Sequence, residues 1–102
     1  MRATPRGRRK IARIGLRKLF KRRATLFGIS ITEQVAMLIA QDFKCASCLK
    51  VMKRPELDHD HETNKPRAFL CGRCNKILGL ARDEVVVLSS LVLYLEKHRS
   101  EV

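Results

Sequence analysis

Two Cys-x-x-Cys pairs, Cys45-Ala-Ser-Cys48 and Cys71-Gly-Arg-Cys74, frame the most reactive stretch of this chain. They use all four cysteines, and 22 residues separate them. Four thiolates carried on two such knuckles can surround one zinc ion tetrahedrally. Two disulfides are the rival reading, but they need an oxidising compartment, and nothing in the sequence points to secretion. A redox pair would need only one knuckle. Cys45, Cys48, Cys71 and Cys74 are therefore read as ligands of a structural zinc.

Between the knuckles, Leu57-Asp58-His59-Asp60-His61-Glu62 sets two histidines and three acids in five consecutive positions, and Asn75 directly follows the last cysteine. Carboxylate and amide oxygens suit a hard cation such as Mg²⁺, and a neutral imidazole can take a proton from water. The bland alternative is a solvated acidic turn, or a second, incidental metal site. The charge of the remaining chain argues against it, because acids placed in a protein that meets nucleic acid repel phosphate. Hydrolysis of a phosphodiester gives that repulsion a reason.

Net charge is +12, and its distribution is uneven. Residues 1–28 hold 11 Lys or Arg and no acid, whereas residues 29–102 hold 11 Lys or Arg against 10 acids. Like charges this dense repel unless an anion is near, and nucleic acid is the favoured polyanion, ahead of an anionic membrane surface. Arg6, Arg8, Arg9, Lys10, Arg13, Arg17, Lys18, Lys21, Arg22 and Arg23 are the DNA-contacting candidates of this arm. Pro5-Arg6-Gly7-Arg8 is similar to the core of a minor-groove AT-hook, but Arg9 stands where that motif has Pro, so generic phosphate contact is preferred. No stretch reaches the roughly 18 apolar residues of a membrane span, and the basic N-terminus lacks the apolar core of a secretory signal. A soluble, cytoplasmic protein is expected.

The elements that must hold these groups follow from periodicity. Ala12, Leu16, Leu19 and Phe20 share one face of a helix over residues 10–27, with Arg9, Arg13, Arg17 and Lys21 on a neighbouring one, and Gly28 stops it. Ser30 with Glu33 forms a capping box for a short amphipathic helix over 31–42, apolar at Ile31, Val35, Leu38 and Ile39. Residues 55–70 read as a hairpin turning at Thr63-Asn64-Lys65-Pro66. Helix returns over 73–81, and Asp83 can cap a last helix running to about Arg99. That helix is apolar from Val85 to Leu95 except at Ser89 and Ser90. It must be deeply buried or packed on a second copy of the chain, and a homodimer contact is expected. Phe20, Phe27, Phe43, Phe69 and Tyr94 are taken as core residues, and His98 as a solvated residue at a helix end.

These pieces together resemble the phage recombination endonuclease VII family, within the His-Me finger (ββα-metal) nucleases. Cys45–Cys48, Leu57–His61, Arg67 to Asn75 and Leu78-Gly79 carry the resemblance, which covers roughly residues 26–98. Phe27-Gly28-Ile29-Ser30 and Glu33-Gln34 look like that family's approach to its first knuckle. The resemblance implies that Asp58 and Asn75 ligate a catalytic Mg²⁺ or Mn²⁺, and that His59 is the general base. It also implies that His61 contacts the scissile phosphate or assists the leaving group. Arg67, inside the Arg-x-x-Leu-Cys piece, joins the DNA-binding candidates. One departure is Leu78, where some members offer an acid three residues after the metal-binding Asn; water or Glu62 could fill that position.

The expectation is an α+β protein: a small zinc-stapled, treble-clef-like ββα core over residues 29–102 with flanking helices, preceded by a basic DNA-binding arm over 1–28. Its function would be metal-dependent DNA endonuclease activity leaving 5′-phosphate and 3′-hydroxyl ends, by nicking, double-strand or branched-DNA cutting, in a phage-infected bacterial host. The competing reading is a catalytically silent zinc-binding nucleic-acid-binding or regulatory protein. One geometric condition follows. On an ideal strand Asp58 and His59 point to opposite faces, so both can serve one site only at a strand end or a bulge.

Overall fold

The computed structural model describes residues 17–99. Arg6, Arg8, Arg9, Lys10 and Arg13 lie outside them, as does the first part of the expected arm helix. The described chain is α+β, with four helices and one two-stranded antiparallel sheet. In chain order they are α1 (Arg17–Phe27), α2 (Ile31–Ala40), β1 (Glu56–His59), β2 (Pro66–Leu70), α3 (Gly72–Leu80) and α4 (Val85–Arg99).

Helix α1 ends where expected. Gly28 takes φ +64°, the left-handed conformation that a Cβ disfavours, and its N–H donates to the Ala24 carbonyl at 3.0 Å. Ser30 then caps α2, its hydroxyl accepting the Glu33 N–H at 3.1 Å. The reciprocal half of the expected box differs, because the Glu33 carboxylate takes the Ser30 hydroxyl at 3.0 Å. The helix stops at Ala40 rather than residue 42, since Asp42 and Phe43 both turn left-handed (φ 54° and 56°).

The core lies where α1 and α2 meet the hairpin. Phe20, Leu38 and Phe69 are fully buried, with Ile29, Phe43, Met52, Leu57 and Leu70 around them. Each such side chain contributes about 1.5–3 kcal/mol by leaving water. Two polar residues that the apolar pattern does not mark are buried with them. Gln34 donates from Nε2 to the carbonyls of Phe20 and Ile29 (2.9 and 3.2 Å), tying α2 to α1 and to the turn that follows it. Arg23 donates to the Pro55 carbonyl at 3.1 Å and lies near the Phe20 and Phe69 rings. Its place among the DNA contacts is therefore corrected: the guanidinium is enclosed, and burial lowers its pKa against the pull of Glu56.

The last helix departs furthest from expectation. No residue of α4 is buried, and Leu91, Val92, Leu93, Tyr94 and Leu95 are all more than half exposed. Tyr94 is thus not a core residue; its ring meets that of His98 at 4.7 Å on the helix surface. Phe27 is partly buried, and the other three phenylalanines are core. Among the described residues no helix is long and apolar enough to cross a membrane.

Candidate active site and metal centre

The four cysteines converge. Their Sγ atoms all lie within 4.8 Å of one another, with Cys48 and Cys71 at 3.8 Å. A tetrahedral zinc with Zn–S bonds of about 2.3 Å places its sulfurs about 3.8 Å apart, so the cradle fits that ion. Local backbone explains the convergence. The first knuckle is a tight turn closed by Leu49 at φ 66° and by the Lys44–Val51 bridge, and N–H groups of Ser47 and Cys48 point at Cys45 Sγ. In the second, Cys71 is the N-cap of α3 and its sulfur accepts the Cys74 N–H at 3.4 Å. Burial opposes ionisation of Cys45, but N–H groups of Cys71, Cys48 and Ser47 and the Cys48 thiol outweigh it and bring its pKa to about 6. Burial and the surrounding thiols push Cys74 up to about 12. The knuckles thereby fasten the N-terminus of α3 to the loop before the hairpin.

The hairpin carries the acidic-histidine stretch. Glu56 pairs with Leu70 and Leu57 with Phe69, but His59 pairs with Pro66, so the register shifts between Leu57 and His59. Two residues of β2, Arg67 and Ala68, then span the interval that Asp58 alone occupies on β1. The irregularity that Asp58 and His59 require is present, and His59 is also the last residue of β1. The turn beyond it is built by Asp60, whose carboxylate accepts the N–H groups of Glu62 and Thr63 at 2.8 and 3.0 Å. Those two donors, Thr63 foremost, hold the Asp60 carboxyl below its ordinary pKa. Asn64 completes the turn at φ 62°.

A continuous run of contacts joins Asp58, His61 and His59. Asp58 is buried and receives two bonds from Arg67, Nε at 2.6 Å and Nη2 at 2.9 Å. Arg67 Nη2 also reaches Asp83 Oδ1 at 3.3 Å, and Asp83 Oδ2 meets His61 Nδ1 at 3.1 Å. The His61 ring centre is 4.8 Å from that of His59, which in turn lies 4.7 Å from the Phe27 ring at the end of α1. Hydrogen bonding to Asp58 raises the pKa of Arg67 above the usual guanidinium range, so it is cationic throughout. Held by two carboxylates, Arg67 is a member of the site more than a free contact for DNA. Arg17, Lys18, Lys21 and Arg22 are the exposed cations of α1.

Asn75 stands apart from that run of contacts and is held by Glu56 of β1. Its Nδ2 donates to Glu56 Oε1 at 2.9 Å, which fixes the amide and leaves its carbonyl oxygen as the free acceptor. A Cβ on Gly72 would lie 3.0 Å from Glu56 Oε2, so Gly72 leaves room for this carboxylate. Asp58 and Asn75 carry the oxygen atoms that the resemblance assigns to Mg²⁺ or Mn²⁺, and both Asp58 oxygens are bonded to Arg67. Leu78 packs against the core, and Glu62 is exposed on the turn.

Two members of this site carry no sequence signal that leads to it. Glu56 sits at a strand start with no periodic pattern of its own. Asp83 has the signature of a helix cap, being an Asp just before an apolar run; its side chain turns to His61 and Arg67 instead.

Comparison with known proteins agrees with the motif reading. The family described as recombination endonuclease VII matches residues 20–97. The Gene 59 protein of Mycobacterium phage D29 is 40% identical over 75 residues, which is 70% of this chain and 46% of that protein. The Gene 59 protein of Mycobacterium phage L5 is 36% identical over 73 residues, covering 68% of this chain and 44% of its own length. The chain thus matches less than half the length of these relatives. No solved structure is significantly similar to it.

Proposed function

The chain belongs to the recombination endonuclease VII family, and from that premise we propose that it is a metal-dependent DNA endonuclease whose general base is His59. The observation that carries this reading is the contact run Asp58–Arg67–Asp83–His61–His59, which links the hairpin to the turn after α3, the helix that the four cysteines fasten to the loop before the hairpin. A hairpin followed by a helix, with these groups between them, fits the ββα unit of a His-Me finger.

In the proposed mechanism His59 takes a proton from the attacking water while ring contacts with Phe27 and His61 hold its orientation. His61 meets the scissile phosphate on the leaving-group side. Asp58 and Asn75 are the ligands for Mg²⁺ or Mn²⁺, which would neutralise charge at the phosphate when bound. Glu56 keeps the Asn75 carbonyl turned outward, and Arg67 fixes the position of the Asp58 carboxylate. The zinc of Cys45, Cys48, Cys71 and Cys74 is structural. The basic arm over 1–28 binds the DNA backbone, anchored to the domain by Phe20 and Arg23 of α1. A homodimer through α4 would place two such sites on DNA, branched DNA included, inside the bacterial host of a phage.

Supercoiled plasmid and a four-way junction, each incubated with Mg²⁺, Mn²⁺ or EDTA, test the reading. Strand cutting that needs the divalent ion and leaves 5′-phosphate ends is expected. DNA binding with no cutting under any condition would instead favour a silent zinc-binding module.

A further inference from the structure

Asp83 lies in the turn between α3 and α4, 22 residues beyond His61, and has no place in the motif that carries the proposed chemistry. Arg82 and Asp83 are consecutive non-glycine residues with left-handed φ of 53° and 57°, and the Asp83 N–H is tied to the Leu78 carbonyl at 3.1 Å. The same left-handed pair ends α2 at Asp42 and Phe43, so the turn is how these helices close, and at α3 it also directs the Asp83 side chain. Here the aim is evident: Oδ2 meets His61 Nδ1 at 3.1 Å and Oδ1 meets Arg67 Nη2 at 3.3 Å.

We propose that Asp83 is a positioning residue for the cleavage reaction, holding His61 through Nδ1 and Arg67 through Nη2 so that both keep their places beside Asp58 and His59. The inference rests on the nuclease reading above and deepens it. An ionised carboxylate can only accept, so the proton of a neutral His61 must be on Nδ1, and Nε2 is the nitrogen left to face the phosphate. The opposite tautomer would turn a lone pair on the Asp83 oxygen. The second contact matters as much. Arg67 spans the two carboxylates, so Asp83 helps to keep the guanidinium beside Asp58. The turn between two helices thus sets the geometry of the hairpin opposite it.

The test compares Asp83→Gly with Asp83→Asn in the zinc-loaded full chain. Glycine removes the carboxylate and tolerates φ near +57°; asparagine tolerates it too and retains one acceptor oxygen. Side-chain nitrogen NMR of His61, recorded without Mg²⁺, should show Nδ1 protonated in the wild type and in D83N, and a shifted tautomer population in D83G. Turnover of a cleavable substrate should fall about 10- to 100-fold in D83G, as for other residues that orient a catalytic group, with KM within about twofold. D83N, whose one oxygen can keep the His61 contact but whose NH2 cannot accept from Arg67, should recover part of that loss. Unchanged His61 nitrogen signals in D83G, wild-type turnover in D83G, or a D83N variant no better than D83G would each overturn the assignment. Failure of the nuclease reading looks different: the wild type would cut nothing, while the His61 spectra of wild type and D83G still differed.

Discussion

Between the rings of Phe27 and His61, each under 5 Å away centre to centre, His59 is oriented by packing while its polar neighbours are tied to one another. His59→Ala should therefore leave the zinc centre, the fold and DNA affinity intact. Cleavage should fall about 10²- to 10⁴-fold, the usual contribution of a positioned general base, in a single-turnover assay. A variant that cuts at the wild-type rate would remove His59 from that role. Asn75→Ala and Asp58→Ala should act on a different quantity, the Mg²⁺ concentration needed for half-maximal rate, because each deletes an oxygen donor. At this scale the sequence is legible wherever chemistry is local. Asp58, His59, His61, Asn75 and the cysteines are candidates by type and spacing, and the fold brings the four cysteines together. Asp83 and Glu56 are not candidates in that way, because each gains its role from a contact with a distant segment: Asp83 with the hairpin, Glu56 with α3. For Asp83 a local rule even supplies a sufficient explanation, since the same residue type suits a helix cap.

Elements are legible where one pattern dominates. The capping residue of α2, the glycine stop of α1 and the hairpin turn follow from steric and hydrogen-bonding rules that act over a few residues. The register shift opposite Asp58 is no more than a condition in the sequence, since the extra residue belongs to β2 and shows no glycine or proline. Gln34 and Arg23 are unreadable for a related reason: polar residues are buried only where a particular carbonyl waits for them. The knuckles make a prediction of their own. Cys71 both caps α3 and belongs to the metal cradle, so Cys71→Ser should lose zinc and unfold the domain, seen as loss of helical circular dichroism. Acid should do the same to the wild type. The fold alone brings the pKa of the Cys45 thiol to about 6, and bound zinc would hold its ligand thiolates deprotonated to still lower pH. Zinc release followed with a chromogenic chelator should thus begin only below pH 6, and release at neutral pH would contradict the assignment. For the basic arm the measurable quantity is salt dependence. Removing residues 1–16 should flatten the log–log slope of DNA affinity against salt by about 0.9 for each phosphate that the arm neutralises, across all sequences tested. An unchanged slope would mean that the exposed cations of α1 suffice.

On the scale of the whole molecule, α4 is the feature that one copy of the chain leaves unexplained. A two-stranded sheet and three short helices bury a small core, and α4 adds nothing to the fully buried set. Its sequence is apolar on nearly every side from Val85 to Leu95, yet Leu91, Val92 and Leu95 are more than half exposed. With Leu88 they recur at three- and four-residue spacing, the seam that lets one helix pack along another. A second copy using the same seam about a twofold axis would bury both stripes at once and carry two sites at fixed separation, which cutting two strands requires. Replacing Leu91 and Leu95 with Glu places charge on that seam and should yield a folded monomer with its zinc retained. Each monomer still has a complete set of Asp58, His59, His61 and Asn75, so nicking of supercoiled plasmid should persist. Paired cuts across a four-way junction should fall far more than nicking, because the second strand must await a second encounter. Sedimentation equilibrium of wild type and double variant decides the matter. A wild-type chain that remains monomeric at micromolar concentration with DNA present would show that α4 is not the dimer seam.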